Sequence, residues 1–437
     1  MKKLLALTLA LVMMALLISC GKPKEADGDD VSDITTSDIS TEPTTNSFST
    51  TETTTSTTGA SSTAAPVATT NPIINGKYRE ITVKGEKAFE IFEDPKKTEN
   101  SSPDDFIIDK KGVLLAYIGN AVNVRFPDKL KRIEKRIVEV KKDVWEDEYD
   151  LRKVFYNGKE ITQFKDVKTL YIPASMTGSK DGSDKAGWFV LRGKRLLNQV
   201  EKITFGKGCK VIYNRCLIGA KGVKEIILNE GLEEIDVCAF NGTGITTIKL
   251  PKSLKIIGSF AFNETPLTEI KLPKGLKSIG NNAFTDTLLT EITIPGGVEF
   301  DNNDPHIGSP DPIFPHCLEK VILEEGLKEI PDICFISTAI KEITIPKSVK
   351  KIGDDAFFNC TNLKKVIFEG DLPKPRDTSH ETLRGFCTVD ANDKAIPLPN
   401  LTIYYREGAK GFRGDEITFK EYDKVDITYP LVMLPKK

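Results

Sequence analysis

Histidine and tryptophan are scarce in this chain, and neither charge is in real excess. Only His306, His316 and His380 are present among 437 residues, which leaves little imidazole for acid–base catalysis or metal ligation. Trp145 and Trp188 are the only tryptophans, too few for a row of aromatic platforms that would capture sugars. Lys and Arg number 61 against 63 Asp and Glu, a formal net charge of −2, so no basic excess points to nucleic acid. No Cys-x-x-Cys pair occurs, which removes the common zinc and dithiol signatures. A Gly-x-Ser-x-Gly elbow is also missing. The run from Gly187 to Gly193-Lys194-Arg195 has the wrong length for a phosphate loop and lacks its Ser or Thr. These gaps predict no catalysis, no resident metal and no cofactor.

The longest apolar stretch, Leu4 to Ile18, is shorter than the roughly 20 residues a membrane-spanning helix needs. With Lys2 and Lys3 before it, it reads as a secretory signal. Leu17-Ile18-Ser19-Cys20 resembles a bacterial lipoprotein cleavage box. The predicted signal is therefore 1–19, with Cys20 as the lipidated first residue of the mature chain. Several acyl chains on one cysteine would anchor it stably, since each buried CH₂ contributes about 0.8 kcal/mol. Residues 20–71 are then a tether. More than half of 31–70 is Ser or Thr, and almost no large apolar residue is available to build a core. A flexible coil of about 50 residues spans roughly 40 Å root-mean-square.

The rest of the chain carries a pattern that returns about every 22 residues, the mark of a solenoid. One copy reads Ile245, Ile248, Leu250, Pro251, Leu254, Ile257, Gly258, Ala261, Phe262. The next reads Leu267, Ile270, Leu272, Pro273, Leu276, Ile279, Gly280, Ala283, Phe284. A third runs from Ile340 to Phe357. Apolar and polar residues alternate before the proline, which predicts a short strand with one face buried. Proline has no N–H for the ladder and ends the strand. The Ala slot (Ala239, Ala261, Ala283, Ala356) lets coils sit close. The Phe slot (Phe240, Phe262, Phe284, Phe335, Phe357) is expected to stack along the interior. Degenerate copies start at Val200, Val223 and Leu318, a partial copy at Leu363, and weaker ones at Val167 and Val124. The copy beginning at Leu289 carries an insertion.

The run Ile343-Thr-Ile-Pro-Lys-Ser-Val-Lys-Lys-Ile-Gly-Asp-Asp-Ala-Phe-Phe-Asn-Cys360 resembles the BspA-type (Treponema pallidum-type) leucine-rich repeat. Asp105 to Asn120 is similar to the family's first repeat, and Leu401 to Phe412 to its usual end. The resemblance covers roughly Asp105 to Phe419. It implies a right-handed leucine-rich repeat solenoid of about 22-residue coils. One face would carry a parallel β-sheet and the other short helical or irregular segments. It further implies a bacterial surface protein, some relatives being adhesins for host matrix proteins or other bacteria, but the family shares no binding motif. The predicted organisation is 72–104 of unclear fold, the solenoid at 105–419 with divergent stretches at 137–166 and 177–199, and a tail at 420–437.

Eight cysteines leave seven after lipidation of Cys20. Cys216 and Cys334 occupy the Ala slot and Cys209 an apolar slot, so free buried thiols are favoured over bridges. In the insertion, 296–317, His306 and His316 accompany Asp301, Asn302, Asn303, Asp304 and Asp311. The spacing matches no ligand loop, and Asn-Asn-Asp-Pro reads as an ordinary turn.

Outward strand positions build two columns. The first is Lys202, Glu225, Thr247, Glu269, Glu291, Lys320, Glu342, Lys365. The second is Thr204, Ile227, Lys249, Lys271, Thr293, Ile322, Thr344, Ile367. The plain reading is a solvated sheet face; the sharper one is a docking face for an extracellular or cell-surface protein. The insertion and the segment around Trp188 and Phe189 are the other candidate contact regions. The leading expectation is a monomeric, lipid-anchored binding protein. The alternatives are a carbohydrate-capturing lipoprotein and an enzyme hidden in 72–104 or 137–199.

Overall fold

The computed structural model describes residues 74–436, except 75, 134, 142–143, 150, 158, 177–198, 302–311, 376–382 and 421–424. The signal at 1–19, Cys20 and the tether at 20–71 therefore lie outside the described residues, as do Trp188, Phe189, His306 and His380.

Every clean copy of the repeat contributes a front strand before its proline. Thr247–Ile248 pairs parallel with Glu269–Ile270, Glu291–Ile294 with Lys320–Leu323, and Glu342–Ile345 with Lys365–Phe368. The alternating pattern puts Ile248, Ile270, Ile292 and Ile343 inside and their neighbours outside. Opposed residues are 22 apart at Thr247–Glu269, 23 apart at Glu342–Lys365 and 29 apart at Glu291–Lys320, where the insertion sits.

The front sheet extends beyond the periodic copies. Thr98–Asn100, Ala121–Arg125, Thr169–Ile172, Lys202–Phe205 and Glu225–Ile227 follow one another in parallel. Residues 126–168 intervene between two adjacent strands there. At the other end Thr402–Arg406 pairs with Leu431–Leu434, the last half of the strand Asp426–Leu434. The first half of that strand turns antiparallel against Glu416–Lys420. The front sheet thus starts before residue 105 and ends after residue 419.

The far side of each coil differs from the expected helical or irregular segments. Among the described residues the only helix is the 3₁₀ turn Pro103–Asp105. In place of helices, a second parallel ladder runs through Val211–Ile212, Glu234–Ile235, Ile256–Ile257, Ser278–Gly280 and Glu299–Asp301. It breaks at the insertion and resumes through Glu329–Ile330, Lys351–Ile352 and Lys374–Pro375. Few residues separate proline from phenylalanine. That length cannot hold a helix and two turns, and coils already in register can satisfy their backbone by pairing with the next.

A third ladder joins the turns that carry the Ala and Phe slots. The N–H groups of Cys238, Phe240 and Gly242 donate to the carbonyls of Ser259, Ala261 and Asn263, each at 2.9 Å. Left-handed residues shape these turns: Cys238, Phe260, Asn282, Ile333 and Asp355, each two residues before its Phe, have φ between 49° and 57°, and Gly385, immediately before Phe386, has 88°. Their φ values allow successive N–H groups to point along the stack rather than back into a helix.

Inside, one hydrophobic core runs from Phe106 to Leu431. Phe240, Phe262, Phe284, Phe314, Phe335, Phe357, Phe386 and Phe419 form its spine, with successive ring centroids 5.0–5.9 Å apart. A separate small core lies at the N-terminal end. There Tyr78–Val83 and Glu86–Ile91 form a hairpin that Val154–Tyr156 joins in parallel, around Phe89, Ile91, Ile107, Ala116, Ile118 and Val154.

Candidate functional site

The front sheet presents its predicted columns to solvent. In the first column, Glu225, Thr247, Glu269, Glu291, Lys320 and Glu342 are exposed, and Lys202 and Lys365 are half-buried. Strand register turns sequence neighbours in the column into ion pairs: Lys202–Glu225 at 2.9 Å, Lys320–Glu291 at 2.6 Å and Lys365–Glu342 at 3.8 Å. Between Thr247 and Glu269 the register is equally direct, with no charge to pair. Exposed pairs like these contribute at most about 1 kcal/mol each, so the column is solvated detail rather than the support of the fold.

The second column splits in character. Lys249 and Lys271 sit just past the ends of their short strands and are exposed. Thr293 is half-buried and Thr344 exposed. Thr204 and Ile227 oppose each other near the start, and Thr293 with Ile322 and Thr344 with Ile367 further on. Ile322 is 41% exposed, a large apolar side chain facing water. Towards the ends the column becomes aromatic: the Arg125 guanidinium lies 3.7 Å from the Tyr171 ring centroid, and Lys365 Nζ lies 5.3 Å from that of Tyr404.

The rear face carries a charge column that the sequence reading passed over. Glu233 sits between Lys210 at 2.8 Å and Lys255 at 2.6 Å. Hydrogen bonds from these two ammonium groups hold its carboxyl well down, at about 2. The signal was available, because Lys210, Glu233 and Lys255 share one offset in the repeat.

A cleft lies where the rear ladder breaks, between Glu299–Asp301 and Glu329–Ile330. A cavity of about 570 Å³ lies there, lined by Gly296, Gly297, Phe300, Lys277, Lys328 and Glu329 among others. Of the insertion's histidine, asparagine and aspartate residues, Asn302, Asn303, Asp304, His306 and Asp311 lie outside the described residues. His316 Nδ1 stands 3.2 Å from the Ser337 carbonyl. Among the described residues no group of three His, Cys, Asp or Glu side chains is placed to hold a metal ion.

The seven described cysteines form no bridge. Cys216 and Cys334 are fully buried in the Ala slot, and burial pushes both thiols well above their ordinary value. Burial pushes Cys209 and Cys360 up to about 11. Thiols held this neutral are poor nucleophiles.

Residues 196–304 and 307–381 match the BspA type leucine rich repeat region, in six copies. The repeat array of this chain is of the BspA leucine-rich type. No curated protein matches it. Solved structures of similar proteins include a leucine-rich repeat protein from Bacteroides ovatus, 16% identical, covering 83% of this chain and 99% of that one at a TM-score of 0.37. A leucine-rich repeat protein from Eubacterium ventriosum is 18% identical over 49% of this chain and 68% of its own, TM-score 0.29. A leucine rich cell surface protein from Faecalibacterium prausnitzii is 15% identical over 78% and 97%, TM-score 0.31.

Proposed function

We propose that this BspA-type repeat chain is a surface-anchored binding protein that docks an extracellular or cell-surface protein along its front sheet and catalyses nothing. The observation that carries this reading is the pair of outward columns. Their residues face solvent in strand register from coil to coil, while the alternate positions are buried. Such a face offers many evenly spaced contact points, as a partner with an extended surface requires. The rest of the reading concerns location. The lipoprotein box at Cys20 would anchor the chain to a membrane, and residues 20–71 would hold the solenoid away from it. The coils would wind right-handed, the sense that parallel strand crossovers favour. The chain would act as a monomer, with no nucleic-acid partner and no cofactor.

The test uses immobilised extracellular-matrix proteins and whole bacterial cells as probes for the full chain. The expected result is saturable binding to at least one, weakened at least tenfold when Glu269→Lys, Glu291→Lys and Glu342→Lys are combined. Uniform failure to bind, or binding indifferent to those substitutions, would overturn the assignment of the face.

A further inference from the structure

Lysine and glutamate alternate between coils along most of the outward columns, at Lys202–Glu225, Lys210–Glu233, Glu291–Lys320 and Glu342–Lys365. That alternation fails in residues 245–288. There two neighbouring coils place Lys249, Lys252 and Lys255 beside Lys271, Lys274 and Lys277. The register fixes the arrangement: Thr247 opposes Glu269 and Ile256 opposes Ser278, so each lysine of one coil meets its counterpart on the next. All six side chains are exposed. Lys255 has Glu233 at 2.6 Å, whereas the other five pair with no carboxylate among the described residues.

This grid is dense. Counterparts on paired strands stand about 4.7–4.9 Å apart. Successive lysines within a coil are three residues apart, at most roughly 10 Å along the chain. The rows run from the front strand across the proline turn to the rear strand. Like charges set directly opposite repel, and among the described residues a carboxylate pairs with only one of the six. Coils on either side do not repeat the pattern: the matching positions are Ile227, Glu230 and Glu233 before it, and Thr293, Gly296 and Glu299 after it.

We infer that this lysine grid binds a linear polysaccharide bearing sulfate or carboxylate groups. The composition of the grid selects the class. Residues 245–258 and 267–280 contain no Phe, Tyr or Trp, so they offer no platform for stacking bases or neutral sugar rings. They contain no arginine, the residue that grips phosphate with a bidentate fork. Of their large apolar side chains, Ile256 at 37% is the one exposed, too little to anchor a protein partner. What remains is evenly spaced point charge beside the exposed Thr246, Thr247 and Thr268, whose hydroxyls suit a sugar chain. The inference stands apart from the protein-docking reading. It shares Lys249 and Lys271 with that face but needs no protein partner.

The test measures binding of the full chain to heparin, with dextran, a poly-dT oligonucleotide, polyglutamate and anionic vesicles as alternatives. Heparin is expected to bind with affinity that falls steeply with salt, and dextran not at all. Combining Lys249→Gln, Lys252→Gln, Lys271→Gln and Lys274→Gln should weaken heparin binding at least tenfold and lower the logarithmic salt slope by roughly three to four, about one per lysine. A control of equal net charge, with Lys202→Gln, Lys320→Gln, Lys341→Gln and Lys365→Gln, removes ion-paired lysines and should leave most of the affinity. Equal loss in both variants, no loss in the first, or any other probe bound as tightly as heparin would overturn the inference. Acetylation of the unsubstituted protein supplies a second readout. Heparin should shield the six grid lysines more than the control four, and unselective shielding would count against the grid even if a variant failed to fold.

Discussion

Phe284 and Phe314 stack with ring centroids 5.9 Å apart and planes 6° from parallel, although residues 285–313 lie between them. Phe314 then stacks on Phe335 at 5.3 Å, so the aromatic spine passes the insertion without a gap. Both rings are fully buried. Phe314→Ala should therefore destabilise the chain by about 3–5 kcal/mol, like Phe262→Ala. Phe300→Ala, at a half-buried ring packed edge-on to Phe314, should cost clearly less. Denaturant unfolding of the three variants checks the order. A small loss at Phe314 would mean that the spine is not continuous there.

Backbone strain is concentrated in the turns. Ile333 is β-branched and sits at φ 49°, while Gly385, in the Ala slot before Phe386, sits at 88°. A Cβ at Gly385 would stand 2.6 Å from Asp355 N. Gly385→Ala should destabilise by about 1–3 kcal/mol. Ile333→Asn should be neutral or stabilise by up to about 1 kcal/mol, because Asn tolerates the left-handed region. Thermal melts of the two variants should move in opposite directions or differ clearly in size.

Buried thiols make two connected predictions. In the native chain at pH 8, Cys209, Cys216, Cys334 and Cys360 should resist alkylation, and all should react in denaturant. Mass spectrometry of labelled peptides reads this directly. Burial raises these pKa values in the folded state, so the stability that comes with neutral thiols is fully present below the ordinary thiol value of 9.0. It is lost as pH rises towards about 11. Melting temperature should fall over that window, and Cys334→Ala should lessen the fall because alanine fits the same slot at Ala356.

Glu233 gives the opposite sign. Its carboxyl is depressed in the folded chain by Lys210 and Lys255, to about 2 against an ordinary 4.5. The stability it contributes is present above pH 4.5 and disappears as pH falls through about 2. Glu233→Gln should lower the melting temperature slightly at pH 6 and low salt. The difference should shrink towards pH 2, and also at high salt, since the group is exposed and screened. A difference that grew on acidification would refute the pairing.

Much of this architecture is legible because a solenoid writes its packing once per coil. Ile248 and Ile270, Ala261 and Ala283, and Phe262 and Phe284 recur at the same offsets, and each pair is buried side by side. The exposed columns follow by the alternation of a strand. What escaped was whatever broke the period. Phe314, Phe386 and Phe419 complete the spine, yet longer coils precede them and hide their slot. Val154–Tyr156 pairs with Glu86–Ile91 across a long sequence gap, and no local pattern announces such a partner. The lysine grid was half visible, with Lys249 and Lys271 in a predicted column. Lys252, Lys255, Lys274 and Lys277 belong to the turn that leads into the rear strands Ile256–Ile257 and Ser278–Gly280, on the side where the resemblance implies helix or irregular backbone.

The sequence by itself determined which residues go inside and which face water, because burial of one stripe per short coil is enforced by the hydrophobic effect acting on a fixed period. Only the tertiary structure decided how the far side of each coil is built and which charges meet across coils. Those depend on backbone hydrogen bonds and strand register between segments that a one-dimensional pattern does not connect: Glu233 finds Lys210 and Lys255 through pairing, and the register that sets Thr247 against Glu269 carries Lys249 towards Lys271.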